Sequence, residues 1–148
     1  MFAPCDGLIQ MTEAAPQTKF QVLLAEDDVV NQSIVQAFLF GVNVELTIAS
    51  DGREALEAAL THRFDLMIVD QNMPFITGDR VIRHLRAGRT MNATTPVIRF
   101  TADANFKPFD LSTVASSLEV TLPKPLSRQD LLSTVGALLG GVVPQGSV

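Results

Sequence analysis

The chain reads as an α/β domain, a parallel sheet doubly wound with helices on both faces. Three observations point there. Short β-rich apolar runs alternate with stretches of helical period from residue 19 to residue 142. One of those runs, Leu66–Val69, is apolar at every position, which is the pattern of a strand buried on both faces. The intervals between runs leave room for one helix per crossover, and parallel strands need such crossovers.

Each element has its own justification. Phe20–Ala25 (FQVLLA) predicts a first strand. Val29–Phe40 follows with helical spacing, and Gly41 can end that helix in the left-handed conformation. Val44–Ala49 (VELTIA) is a second strand. The stretch SDGREALEAALTH opens with a capping-box pattern, Asp51 to Glu54, and continues as a helix. Leu66–Val69 is the third strand, and Pro74 stops regular pairing after it. Gly78–Ala87 predicts a helix with Val81, Ile82 and Leu85 on one face. Val97–Phe100 is a fourth strand and Val120–Leu122 a short fifth. Ser127 caps a last helix, with Asp130 at its third position and Leu131, Val135 and Leu138 as the apolar stripe. Between strands four and five, ADANFKPFDLSTVASS has a poor helical period. It also carries Pro108, and proline inside a helix costs about 3 kcal/mol, so a helix there is expected to be short, displaced or mobile. Residues 1–18 predict a flexible leader and residues 143–148 a loose tail, flanking one domain over 19–142.

Composition narrows the function. A length of 148 residues suits one domain with a full core. With 47% hydrophobic and 18% charged residues the chain is globular and not disordered. A net charge of −5 argues against a general nucleic-acid or anionic-membrane surface. The single cysteine, Cys5, allows no internal disulfide and fits a reducing compartment. No apolar run approaches a membrane span, and no basic region opens a secretory signal. The expectation is a cytoplasmic protein without membrane insertion or direct nucleic-acid contact. His62 and His84 read as surface residues, and no zinc site is expected.

In doubly wound sheets, ligands bind beyond the carboxyl ends of the strands. Those ends carry an ordered set of polar residues. Glu26, Asp27 and Asp28 follow strand one, Asp70 follows strand three, Thr101 and Ala102 follow strand four, and Lys124 follows strand five. Alone, each has an ordinary explanation: a turn acid, a helix cap, a β-prone threonine or a solvent-facing lysine. Together they converge on one edge. Carboxylates sharing a cleft repel one another, and a hard divalent cation such as Mg²⁺ relieves that repulsion with oxygen ligands. A carboxylate is also a competent nucleophile toward phosphorus. Lys124 and Thr101 are then placed to hold phosphoryl oxygens.

At this point the sequence resembles the receiver domains of two-component response regulators, in a form closest to those of hybrid histidine kinases. VLLAEDDVVNQ resembles the first-strand signature, DLMIVDQNMPFITG the phosphoacceptor block, TPVIRFTAD the fourth-strand block and LPKPLS the lysine block. The resemblance spans about residues 19–142. It implies a flavodoxin-like sheet in the order 2-1-3-4-5. It implies that Asp70 accepts a phosphoryl group from a phosphohistidine, with Thr101 and Lys124 contacting that group. Glu26, Asp27, Asp70 and the backbone carbonyl of Asn72 are the implied Mg²⁺ site. Asn72, Ala102 and Asp103 are the positions that tune the reaction and the phosphoryl lifetime. Asp28 is taken as a helix N-terminal acid. Gly78 fits the tight turn before the third helix, and the Lys124–Pro125 peptide is expected to be cis. The implied partners are a histidine kinase or histidine phosphotransferase and a downstream protein, with a phosphorylation-linked dimer as a further arrangement. Output is expected through protein contacts or a fused region.

The sequence also departs from the family pattern. Thr121 stands where receivers usually carry an aromatic residue, so the usual switch through an inward-turning ring is in doubt. Arg99 falls in the fourth strand, on the same side as Thr101. One reading is a drifted surface with Arg99 snorkelling outward. The other is an unusual partner face over strand four, the following helix and strand five, including Arg99, Phe106, Phe109 and Thr121. Two functions compete with the phosphoacceptor: a binding-only pseudo-receiver, and an Mg²⁺-dependent phosphohydrolase. The hydrolase class typically wants an acid two residues after the nucleophile, where this chain has Asn72. The expectation is a signalling module and not an enzyme.

Overall fold

A computed structural model of the chain describes residues 19–102 and 119–139. Five parallel strands form one sheet: β1 (Phe20–Ala25), β2 (Val44–Ala49), β3 (Leu66–Asp70), β4 (Val97–Thr101) and β5 (Glu119–Pro123). Their order is β2-β1-β3-β4-β5, as expected. Four helices are present among the described residues: α1 (Val29–Phe38), α2 (Gly52–Thr61), α3 (Gly78–Ala87) and α4 (Arg128–Leu138). The crossover between β4 and β5, with the expected irregular helix, lies outside the described residues. So do the leader and the tail.

Strand alternation divides the core into two layers. Val22, Leu24, Leu66, Ile68, Ile98, Phe100, Val120 and Leu122 face α1 and α4, which contribute Val35, Leu131 and Val135, with Leu39 just past the end of α1. Leu23, Ala25, Met67, Val69 and Val97 face α2 and α3, which contribute Ala55, Ala59, Val81, Ile82 and Leu85. Every residue of β3 is buried, because this central strand is covered on both faces. Its apolar side chains, at about 1.5–3 kcal/mol each when fully buried, make it the rigid post of the domain.

The helix starts follow local chemistry. Asp28 accepts from the Val30 amide at 2.9 Å, Asp51 from Glu54 at 2.9 Å and Ser127 from Asp130 at 3.3 Å. Thr77 caps α3 through the Arg80 amide at 3.4 Å. The Asp51–Glu54 box closes one residue early, since Glu54 accepts from the Ser50 amide and not from that of Asp51. Helix α1 ends at Phe38, two residues before the predicted Phe40, and Gly41 then takes φ 87°.

Asn92 fastens the loop before β4. Its side chain is fully buried and accepts from the Phe64 amide at 2.9 Å. It donates to the Ala59 and His62 carbonyls at 2.5 and 2.7 Å. The Thr95 hydroxyl donates to it at 3.0 Å and to the Phe64 carbonyl at 3.2 Å. One side chain therefore ties the end of α2 to the entries of β3 and β4.

Candidate functional site

Register brings the polar strand ends into line. Ala25 is level with Val69, Asp70 with Phe100, and Thr101 with Pro123. Asp70 and Thr101 are the last residues of their strands, not the first residues beyond them. Holding Asp70 inside the ladder fixes its backbone. The Gln71 amide donates to the Phe100 carbonyl at 3.1 Å and the Lys124 amide to the Thr101 carbonyl at 2.8 Å. The Lys124–Pro125 peptide is cis.

Glu26, Asp27 and Asp70 each offer a carboxylate oxygen within 4.8 Å of the others. Glu26 and Asp70 are only 1% and 3% exposed, whereas Asp27 is open to solvent. Lys124 Nζ stands 3.0 Å from Asp70 Oδ1 and 3.7 Å from Glu26 Oε1. The Asn72 amide donates to Asp70 Oδ1 at 3.3 Å. Glu26 Oε2 accepts from the Asp28 amide at 3.2 Å, and Gln32 of α1 donates to the Glu26 carbonyl at 2.6 Å. Glu26 Oε1 is buried without a hydrogen-bond partner. A buried carboxylate oxygen with no hydrogen bond, beside two further carboxylates, is the donor set of a hard divalent cation, so these residues fit Mg²⁺.

The charges press on one another. Burial, and then the neighbouring Asp70 charge, push the Glu26 carboxyl from 4.5 up to about 7, against opposing pulls from the Asp28 amide and Lys124. For Lys124, burial favours the neutral amine. The hydrogen bond and charge of Asp70, followed by Glu26 and Asp27, outweigh it and hold the ammonium form above its usual range.

The loop after Asp70 is pinned from its far end. Gln71 Nε2 donates to Asp79 Oδ2 at 2.9 Å, and the Asp79 amide donates to Gln71 Oε1 at 3.1 Å. The Gly78 amide donates to the Gln71 carbonyl at 3.0 Å. At Gly78 a Cβ would collide with the Asp70 carbonyl oxygen, so only glycine lets α3 start this close to β3. The Gln71–Asp79 pair was missed from sequence, where nothing in the eight-residue spacing marks it.

Asp79 also leads to Arg99. Arg99 does not snorkel outward: its Nε lies 2.9 Å from Asp79 Oδ1, out of line for a hydrogen bond, and its Nη2 donates to Glu119 at 3.2 Å. Arg86 of α3 shares Glu119 at 3.4 Å. A charge on a central strand is tolerable because it is paired. Thr121 sits level with Arg99 across β4 and β5. Ala102 is exposed next to Thr101. Asp103, Phe106 and Phe109 lie outside the described residues.

Beside the carboxylates, between α1 and the loop after β5, lies an apolar cavity of about 300 Å³ whose lining includes Ile34, Phe38, Phe100 and Pro125. Val29 and Val30, in the first turn of α1, are 69% and 65% exposed. No helix among the described residues is long and apolar enough to cross a membrane.

Known proteins share this architecture. The autoinducer 2 sensor kinase/phosphatase LuxQ of Vibrio vulnificus is 32% identical over 133 residues, covering 86% of this chain and 15% of LuxQ. The transcription factor SKN7 of Candida albicans is 31% identical over 121 residues, 81% of this chain and 21% of SKN7. The chain thus spans a minor part of these relatives. Among solved structures, the receiver domain of sensor histidine kinase PA1611 from Pseudomonas aeruginosa, with a magnesium ion coordinated in its active site cleft, superposes with TM-score 0.70. It is 28% identical and covers 82% of this chain and 98% of that one. The chemotaxis protein CheY4 of Vibrio cholerae gives 0.67 at 29% identity, covering 82% and 99%. The response regulator receiver domain model matches residues 22–136, a span that contains all five strand ends. Sheet order, the placement of the acids and this match agree, and the chain belongs to the response regulator receiver domain family of two-component systems.

Proposed function

We propose that Asp70 accepts a phosphoryl group from a phosphohistidine in an Mg²⁺-dependent reaction. The observation that carries this reading is the buried Asp70 carboxylate held by Lys124 at 3.0 Å, beside the buried Glu26, one of whose oxygens makes no hydrogen bond. Receiver domains partner with histidine kinases or phosphotransferases and form a family of signalling domains.

The step is a displacement at phosphorus. A carboxylate oxygen of Asp70 forms the new P–O bond, the P–N bond of the phosphohistidine breaks, and the imidazole leaves with its electron pair. Oδ1 is engaged by Lys124 and the Asn72 amide, which makes Oδ2 our nucleophile. Lys124 and Thr101 hold the transferred oxygens. Glu26, Asp27, Asp70 and the Asn72 carbonyl hold the cation. Bound there, Mg²⁺ would neutralise charge on the carboxylates and the phosphoryl group. Positioning and charge neutralisation account for the chemistry, and β3 supplies the rigid support. The exposed apolar side chains Val29, Val30 and Ile34 of α1 offer a contact surface to the phosphohistidine-bearing partner. Output passes through protein contacts, with the β4–β5 side, including Arg99 and Thr121, as the partner face.

Intact mass after incubation with acetyl phosphate tests the reading. We expect one phosphoryl adduct with Mg²⁺, none after chelation, and none in Asp70→Asn. Absence of an adduct with both acetyl phosphate and a phosphohistidine donor would favour the binding-only reading.

A further inference from the structure

A groove between α2 and α3, away from the carboxylate cluster, has chemistry that phosphoryl transfer does not use. It encloses about 430 Å³ and is lined by Leu56, Phe75, Ile76, Arg80, Arg83 and His84. None of these lining residues is acidic. Arg80, Arg83 and His84 are exposed, as is Arg53, whose guanidinium lies over the Phe75 ring at 3.9 Å. Among the described residues, no carboxylate comes within ion-pair distance of Arg53, Arg80 or Arg83. The groove is therefore a concentration of positive charge on a chain whose net charge is −5.

Two of its features carry a cost that is only partly offset inside the domain, by the Ile76 amide donating to the Pro74 carbonyl and by Arg53 over the Phe75 ring. Phe75 is 68% exposed and adopts φ 71°, a backbone conformation unfavourable for a bulky side chain. Arg80 and Arg83 are one turn apart on α3, where like charges repel. Such outliers gather where a surface is shaped for recognition.

We propose that this groove docks an acidic peptide segment of a partner protein, with an apolar side chain of that segment seated between Phe75 and Leu56. Charge complementarity selects the occupant. The free cations lie in a line along one helix, one turn apart, and Arg53 is turned onto an aromatic face. They therefore match successive carboxylates along a chain better than a single phosphate, which would call for guanidinium groups converging on one point. The aromatic ring braced by Arg53 supplies the kind of anchor that carries interface energy. Phe75 belongs to the loop that follows Asp70, but no residue of the carboxylate cluster lines the groove, so docking here leaves Asp70 free.

Fluorescence anisotropy on the full chain tests the proposal. The probe is a short labelled peptide of Glu and Asp with Leu and Phe once per turn. Its counterpart carries Lys in place of every acid. We expect saturable binding of the acidic peptide, weakening with added salt. Arg80→Ser/Arg83→Ser and Phe75→Ser should each weaken it by about tenfold or more. Arg80→Glu/Arg83→Glu should bind the Lys peptide instead, which shows that the variant surface is folded, and Asp70→Asn should bind the acidic peptide as the parent does. Equal affinity for the acidic and Lys peptides, or undiminished binding in the Ser pair, would overturn the proposal. Displacement of the acidic peptide by ATP at concentrations below those of peptide saturation would reassign the groove to a small phosphorylated ligand and also overturn it.

Discussion

Glu26→Gln should stabilise the metal-free domain by an amount that grows as the pH rises above 4.5 and reaches its full size above 7. The folded protein holds the Glu26 carboxyl at about 7 in place of 4.5, because burial and Asp70 both disfavour its charge. Between those values the folded state binds more protons than the unfolded state, so stability falls as pH rises. Glu26's contribution is fully present below 4.5 and is lost as the pH passes through 7. A displacement of that size is worth about 3 kcal/mol at most, a ceiling because Lys124 and Asp70 titrate against the same group. The substituted glutamine carries no charge and still offers an oxygen to the Asp28 amide. The two proteins should therefore unfold alike at pH 4.5 and diverge by up to roughly 6–12 °C at pH 8, using about 2–4 °C per kcal/mol for a chain of this size. The assay is thermal unfolding by circular dichroism across that range in chelator. Adding Mg²⁺ should then stabilise the parent more than the variant, because only the parent retains the full carboxylate set. A difference between parent and variant that is the same at every pH would refute the electrostatic reasoning.

Three further outcomes follow from the packing. Asn92→Ala leaves the Phe64 amide and the Ala59 and His62 carbonyls without a partner, so chemical denaturation should show a loss of about 3–5 kcal/mol. Gly78→Ala drives a Cβ into the Asp70 carbonyl and toward Val69, and should cost about 1–3 kcal/mol by the same measurement while slowing adduct formation at Asp70. Arg99→Ala separates Asp79 and Glu119 from their shared cation; both acids are partly open to water, so the loss should be about 1–2 kcal/mol and should shrink in high salt.

The sheet was legible because its signals are local. The unbroken apolar run Leu66–Val69 read as a doubly covered strand, and the periods on either side placed the helices along the chain. Asp51 and Ser127 announced their helices by side-chain chemistry alone, and the resemblance placed Asp28 at the start of α1. Strand ends were harder. A ladder continues while backbone partners remain, so Asp70 and Thr101 joined strands that a hydropathy pattern closes one residue earlier. What escaped the sequence depends on partners far away in the chain. Arg99 reads as a misplaced charge until α3 and β5 bring Asp79 and Glu119 beside it. Asn92 looks like an ordinary turn residue until the ends of α2 and β3 close around it. The basic groove joins Arg53 to Phe75 across twenty-two positions, and only the packing of α2 against α3 assembles it.

The central claim is that the Asp70 carboxylate carries the phosphoryl group. Borohydride reduces an aspartyl phosphate to homoserine and leaves free carboxylates untouched. The measurement is peptide mass mapping after Mg²⁺-dependent phosphorylation and borohydride treatment. Homoserine at position 70, and at neither Glu26 nor Asp27 the corresponding alcohol, is the expected result. An unreduced Asp70 in a protein that does carry phosphate, or reduction at another carboxylate, would contradict the account.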